Sequence, residues 1–173
     1  IARMLIKNNC SVTVYILEFG NMGTEDFQTN LTRLHECSNN IHFIQSPDFF
    51  PAFTEGSVII DAIFGTGLNK PLEGISAALV NHINTSANEI IAIDMPSGLL
   101  ADSSSKGSAV IKATQTLSFQ NYKLAFLLAE NEEYCGDIHL IHINLHQQFE
   151  TDEASIFELT EKAIIKSIYK PRK

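Results

Sequence analysis

Two aspartates stand where aspartates are costly. Asp61 lies in the run Val58-Ile59-Ile60-Asp61-Ala62-Ile63-Phe64, and Asp94 closes Ile90-Ile91-Ala92-Ile93-Asp94. Runs so continuously apolar have the pattern of parallel strands covered on both faces. An ionised carboxylate among them survives only with hydrogen bonds, a positive partner or a bound cation. Each is followed by a turn of small residues, Gly65-Thr66-Gly67 after the first and Met95-Pro96-Ser97-Gly98 after the second. Small residues let the backbone approach a bulky ligand, and amide or hydroxyl groups there can donate to phosphates or carbonyls. In the second turn the proline fixes the chain just past the strand end, so that a carboxylate and a hydroxyl can be aimed at one point. A tight βα turn and a plain strand exit are the bland readings. The repetition of the same mix in both loops argues against them.

Other chemistry-bearing residues make weaker constellations. Ser97 is not flanked as G-x-S-x-G and no histidine has an evident claim as its base, which argues against a hydrolase nucleophile. Gly20-Asn21-Met22-Gly23 lacks the G-x-G-x-x-G spacing and reads as a plain βα turn. His139 and His142 are three apart on an expected strand, so they face opposite sides and do not share a metal. Lys112 and Lys123 read as surface charges, and Glu132-Glu133 as a solvated turn.

The elements that must position the two aspartates follow from the hydrophobic periodicity. Ile1, Met4 and Leu5 give a helical face that ends at Asn8-Asn9, and residues 12–19 read as a strand. Thr24 is placed to cap a helix running to about residue 37, since Phe27, Leu31 and Leu34 recur at helical spacing. A short strand over 41–45 precedes a loop or single helical turn between Pro47 and Pro51, whose Phe49 and Phe50 read as core. After the first aspartate strand, residues 75–83 read as a helix, and the second aspartate strand follows. The polar stretch 101–108 reads as a surface loop, and strands over 114–119 and 138–145 close the sheet. Alternating strands and helices argue for an α/β layer with a mainly parallel sheet, and ligands of such sheets bind outside the carboxyl ends of the strands. Both small-residue loops are of that kind.

The 173 residues fit one principal domain, expected over 1–150, and 45% hydrophobic content supplies a substantial core. From residue 151 an amphipathic helix is expected, ending in Lys170-Pro171-Arg172-Lys173 as a linker towards another domain. A formal charge of −8 opposes a nucleic-acid or anionic-membrane partner, which would require a clustered positive surface. Three dispersed cysteines without a C-x-x-C pair suggest neither a disulfide framework nor a zinc site, and fit reduced thiols in the cytoplasm. No apolar run approaches the roughly 20 residues needed to cross a bilayer. The opening residues begin inside a helical pattern without a cap, as expected of a chain cut from something longer.

Asp61-Ala62-Ile63-Phe64-Gly65-Thr66-Gly67-Leu68, with Ala92-Ile93-Asp94-Met95-Pro96-Ser97-Gly98-Leu99, resembles the YjeF N-terminal domain family of NAD(P)H-hydrate epimerases. The likeness extends through Val12-Thr13-Val14-Tyr15, Leu117-Ser118-Phe119 and Lys123-Leu124-Ala125-Phe126-Leu127 to Tyr134-Cys135-Gly136-Asp137-Ile138. It implies a Rossmann-like three-layer sandwich and interconversion of the R and S epimers of hydrated NADH and NADPH. It further implies that Asp61 and Ser97 help hold a potassium ion, that Gly65, Thr66, Gly67, Leu68, Asn69, Lys70 and Pro71 lie along the substrate, and that Asp94 sits at the reacting nicotinamide end. A homodimer and a fused ADP- or ATP-dependent dehydratase domain are expected on the same ground. The family's Asn-Asn-x-Gly-Asp-Gly loop is expected ahead of Ile1, and the functional lysine of some members falls at Asn69, with Lys70 next to it. Competing readings are a non-catalytic binding or scaffold module of the same family, and a generic nucleotide-binding domain. Retention of Asp61, Asp94 and Ser97 together favours catalysis.

Overall fold

The computed structural model describes residues 1–18, 20, 23–145, 160 and 165. The chain divides into two compact units, Ile1–Ile141 and His142–Lys173. The helix and linker expected from residue 151 lie outside the described residues apart from Thr160 and Ile165.

The first unit alternates strands and helices as the periodicity requires. In order these are α1 (Ala2–Lys7), β1 (Val14–Leu17), α2 (Glu25–His35), β2 (Ile41–Ile44), β3 (Val58–Asp61), α3 (Gly74–Asn84), β4 (Glu89–Ile93), β5 (Gln115–Phe119), α4 (Glu132–Cys135) and β6 (Asp137–Ile141). Short 3₁₀ turns occupy Pro47–Phe49, Leu124–Leu127 and Ala129–Asn131. Thr24 caps α2 as its sequence position suggests: its hydroxyl accepts from the Phe27 N–H at 3.2 Å, with Glu25 and Asp26 in the first turn to complement the helix dipole.

All strand pairs are parallel, which with the helices gives the Rossmann-like α/β fold. Among the described residues they form two sheets, β1-β2 and β3-β4-β5-β6. Among the described residues β1 and β3 each have a strand partner on one side only, and both line a cavity of about 500 Å3 together with Leu79 and Ile83 of α3. This bears on the expectation that both aspartate strands are covered on both faces. It holds better for β4, where Ile90 and Ala92 are buried, than for β3, whose Val58 and Ile60 are 50% and 39% exposed. An edge strand leaves part of its apolar surface open.

The core sits against the inner strands. Leu79, Val80 and Ile83 of α3 pack with Ile90 and Ala92 of β4, Ile44 of β2, Ile111 and Ala113. At about 1.5–3 kcal/mol for a fully buried large aliphatic side chain, α3 is fixed chiefly by this face. A second cluster joins Met95, Leu99, Val110, Ala125, Tyr134 and Cys135, and so anchors the chain that leaves β4. Of the phenylalanine pair, Phe50 packs on the first cluster, whereas Phe49 is 56% exposed. The polar loop at 101–108 is largely exposed but is pinned at Ser105, whose N–H donates to Asn131 Oδ1 at 3.0 Å.

Candidate active site at the ends of β3 and β4

Parallel pairing of β3 with β4 sets Asp61 opposite Ala92, so the chain segments leaving the two strands emerge side by side. Asp61 is 2% exposed and Ser97 fully buried. The Ser97 N–H donates to Asp61 Oδ2 at 2.7 Å, and the Ser97 hydroxyl donates to Asp61 Oδ1 at 2.6 Å. The Ile63 N–H adds a longer contact to Oδ1 at 3.4 Å, while the Phe64 N–H donates to Ser97 Oγ at 2.9 Å. One serine thus ties the end of β3 to the turn after β4. Burial pushes the Asp61 carboxyl above its ordinary range, against the hydrogen bonds from Ser97 and Ile63 that favour its ionised form. Among the described residues no cationic side chain forms a salt bridge with it.

This set fits a hard cation. Asp61, the Ser97 hydroxyl and the Phe64 carbonyl, 3.4 Å from that hydroxyl, gather oxygen atoms of three kinds around a buried carboxylate that a positive charge would favour. The same geometry disposes of a hydrolase reading. The Ser97 hydroxyl is spent on Asp61, and no histidine among its hydrogen-bond partners could take its proton. Cys135 offers no alternative nucleophile, since burial pushes its thiol up to about 11.

Asp94 sits one residue past β4 with φ 68°, a left-handed conformation that non-glycine residues rarely adopt. Its N–H donates to the Leu117 carbonyl of β5 at 2.8 Å, and the Met95 N–H closes a tight turn onto the Ile93 carbonyl at 2.9 Å. The kink re-aims the side chain at the strand end. Carboxylate Oδ1 lies 3.2 Å from Lys123 Nζ and 3.4 Å from the Phe119 N–H nitrogen. Oδ2 lies on the other side, 3.1 Å from the place a Cβ on Gly65 would occupy. With no side chain at residue 65, that oxygen can approach the first loop closely.

Beyond Gly65 the chain turns, with the Leu68 N–H donating to the Gly65 carbonyl at 3.3 Å. Gly65 and Leu68 are half-buried, whereas Thr66, Gly67, Asn69, Lys70 and Pro71 are exposed. The residues singled out by sequence therefore fall into three groups at one edge of the sheet: Asp61 with Ser97 in the interior, Asp94 with Gly65 at the opening, and 66–71 as an outer rim. Lys112 is a surface charge, as expected, paired with Glu133 at 2.6 Å. Lys123 is not: its side chain is 16% exposed and meets Asp94, correcting its reading as a surface charge. A signal was present, because Lys123 is the lone charge in Tyr122-Lys123-Leu124-Ala125-Phe126-Leu127-Leu128.

The family described as the YjeF-related protein N-terminus matches residues 1–125, and so takes in both loops, both aspartates and Lys123. The chain belongs to that family. Among the similar proteins, the NAD(P)H-hydrate epimerase of Oenococcus oeni is 28% identical over 147 residues, covering 85% of this chain and 68% of the relative. The bifunctional NAD(P)H-hydrate repair enzyme Nnr of Thermofilum pendens is 37% identical over 87 residues, 50% of this chain and 17% of the relative. Its counterpart from Escherichia coli is 36% identical over 100 residues, 57% of this chain and 19% of the relative. The chain thus matches about two thirds of the epimerase and less than a fifth of these bifunctional proteins. As a YjeF-type domain it ties Asp61 to Ser97 by two hydrogen bonds and sets Asp94 beside Gly65.

Proposed function

We propose that this domain epimerises the R and S forms of hydrated NADH and NADPH, with Asp94 as its catalytic group and residues 65–71 along the substrate. The observation that carries the reading is the Asp94 carboxylate, held on one oxygen by Lys123 and set with the other against Gly65. Epimerisation at the hydrated ring carbon requires the hydroxyl to leave and return on the opposite face, or the ring to open and close. Either route needs a proton given and taken and positive charge stabilised on the way, and a positioned carboxylate serves both needs. The left-handed backbone at residue 94 and the open space at Gly67 suit a group reaching into a ligand that lies against main chain.

A potassium ion is part of the proposal. Bound by Asp61 and Ser97, it would supply a positive charge beside the buried carboxylate. Asp61 and Ser97 in turn lock the β3 and β4 exits together, which keeps Gly65 in register with Asp94. The relatives named as bifunctional support a further proposal, that a dehydratase domain shares the natural polypeptide. The family resemblance adds a homodimer acting in the cytoplasm.

The direct test uses the full-length gene product and the purified R-hydrate of NADH, with formation of the S form read through an S-specific dehydratase and spontaneous epimerisation subtracted. Asp94→Asn keeps the shape but removes the charge and the transferable proton. Turnover should fall on the order of 10²- to 10⁴-fold, with binding less affected. Wild-type turnover in a folded Asp94→Asn protein would turn the reading towards a non-catalytic binding module. For the cation, potassium chloride should raise the thermal midpoint above that in choline chloride at equal ionic strength, because a ligand of the native state alone stabilises it. Asp61→Asn should abolish that difference.

A further inference from the structure

The Lys123 ammonium has three N–H donors, and three acceptors surround it: the Phe119 carbonyl at 2.7 Å, the Asn121 carbonyl at 3.2 Å and Asp94 Oδ1 at 3.2 Å. Two of the three belong to the main chain at the end of β5, so the ammonium is fixed to the sheet before it meets the carboxylate. Both side chains of the pair are 16% exposed, which takes the contact out of the class of freely solvated ion pairs that hold nothing in place. Asp94 Oδ1 is also approached by the Phe119 N–H at 3.4 Å, so that oxygen is engaged from β5 by a charge and an amide together. Oδ2 is the atom left facing Gly65. A carboxylate on a short side chain can rotate about two bonds, and holding one oxygen selects which way the other points.

We propose that Lys123 is the positioning residue of this site: it tethers Asp94 Oδ1 to the end of β5 and so presents Oδ2 to the ligand at the Gly65 turn. The inference rests on the epimerase reading and goes beyond it, because it divides the labour between the two oxygens of one carboxylate. Lys123 acts through Asp94, because its three donors are taken up by that carboxylate and two main-chain carbonyls. The tether is also specific to a lysine. An ammonium is a compact centre that can satisfy three separate acceptors, whereas the planar fork of an arginine suits paired acceptors in one plane.

The test is a double-mutant cycle in the full-length gene product. Lys123→Met should lower kcat on the order of 10- to 100-fold, the scale of a misplaced catalytic group, while KM changes little. Lys123→Arg, which keeps the charge but not the geometry, should recover only part of the loss. In an Asp94→Asn background Lys123→Met should cause no further loss, since residues acting through one group are not additive. Circular dichroism and thermal unfolding check that each variant is folded. Should Lys123→Met unfold, Lys123→Gln carries the same comparison, since its amide retains donors for the carbonyls of the strand end. Wild-type kcat in the folded Lys123 variants, or losses that multiply with that of Asp94→Asn, would overturn the inference. Wild-type protein without epimerase activity would remove the reading beneath it, a result distinguishable from an active wild type beside an equally active Lys123→Met.

Discussion

The two oxygens of Asp94 have different neighbours, and the glycines of the facing turn separate their effects. A Cβ on Gly65 would stand 3.1 Å from Oδ2, tight enough that the carboxylate must give by a few tenths of an ångström, whereas a Cβ on Gly67 would meet nothing within 4 Å. Gly65→Ala is therefore expected to lower kcat, on the order of tenfold, by displacing the oxygen proposed to react. Gly67→Val should leave the fold and the Asp94 geometry intact and raise KM, again on the order of tenfold, by filling space beside the backbone where the substrate is proposed to lie. Steady-state kinetics separate the two, and equal effects on kcat from both would contradict the placement. The aspartates were legible because charge inside an apolar run demands a partner. The same logic applied to Lys123 and was outweighed there by the usual behaviour of lysines, whose long stems carry the charge to water. What no spacing could show is that the partner of Asp61 is the Ser97 hydroxyl and amide, since that contact joins residues 36 positions apart.

At the scale of elements, the site depends on how the chain leaves β4. Ser97 is presented to Asp61 by a turn in which the Leu99 N–H donates to the Pro96 carbonyl at 3.0 Å and the Ser97 carbonyl accepts from the Ile111 N–H at 2.9 Å. Gly98 makes that path possible: its φ is 99°, and a Cβ there would lie 2.1 Å from the Ala109 carbonyl oxygen. Gly98→Ala should thus cost about 1–3 kcal/mol in backbone strain alone, with the clash against Ala109 added. Urea unfolding measures the loss, and a midpoint equal to wild type would show that the turn relaxes without strain. Helices α2 and α3 were legible from periodicity, and α2 also from its threonine cap, because local sequence specifies both. Strand β3 was only half legible. Val58-Ile59-Ile60 is apolar at every position, but composition does not say whether a strand is central or lies at an edge, and here Val58 and Ile60 are exposed beside the cavity.

On the scale of the first unit, β1 and β3 each have an edge without a strand partner among the described residues, and both line one mostly apolar cavity, with Tyr15, Leu17, Ile59, Ile60 and Ile63 among its walls. Unpaired N–H and C=O groups beside exposed apolar side chains are a template for further strand pairing, which natural sheets usually blunt with charge, proline or a covering segment. Val58 at 50% exposure and Tyr15 at 39% carry no charge that would serve this purpose. With these edges uncovered among the described residues, the chain is expected to associate at tens of micromolar into species larger than a dimer, as exposed strand edges do. Sedimentation velocity over a concentration series reads this directly. Val58→Lys and Tyr15→Lys place a charge on β3 and β1 respectively, at positions already exposed, so each should reduce association without unfolding the domain. A peptide segment able to pair with both edges should have the same effect and also raise the thermal midpoint, because it binds the native state alone. If both lysine variants associate as wild type does, the edges are not the surface responsible.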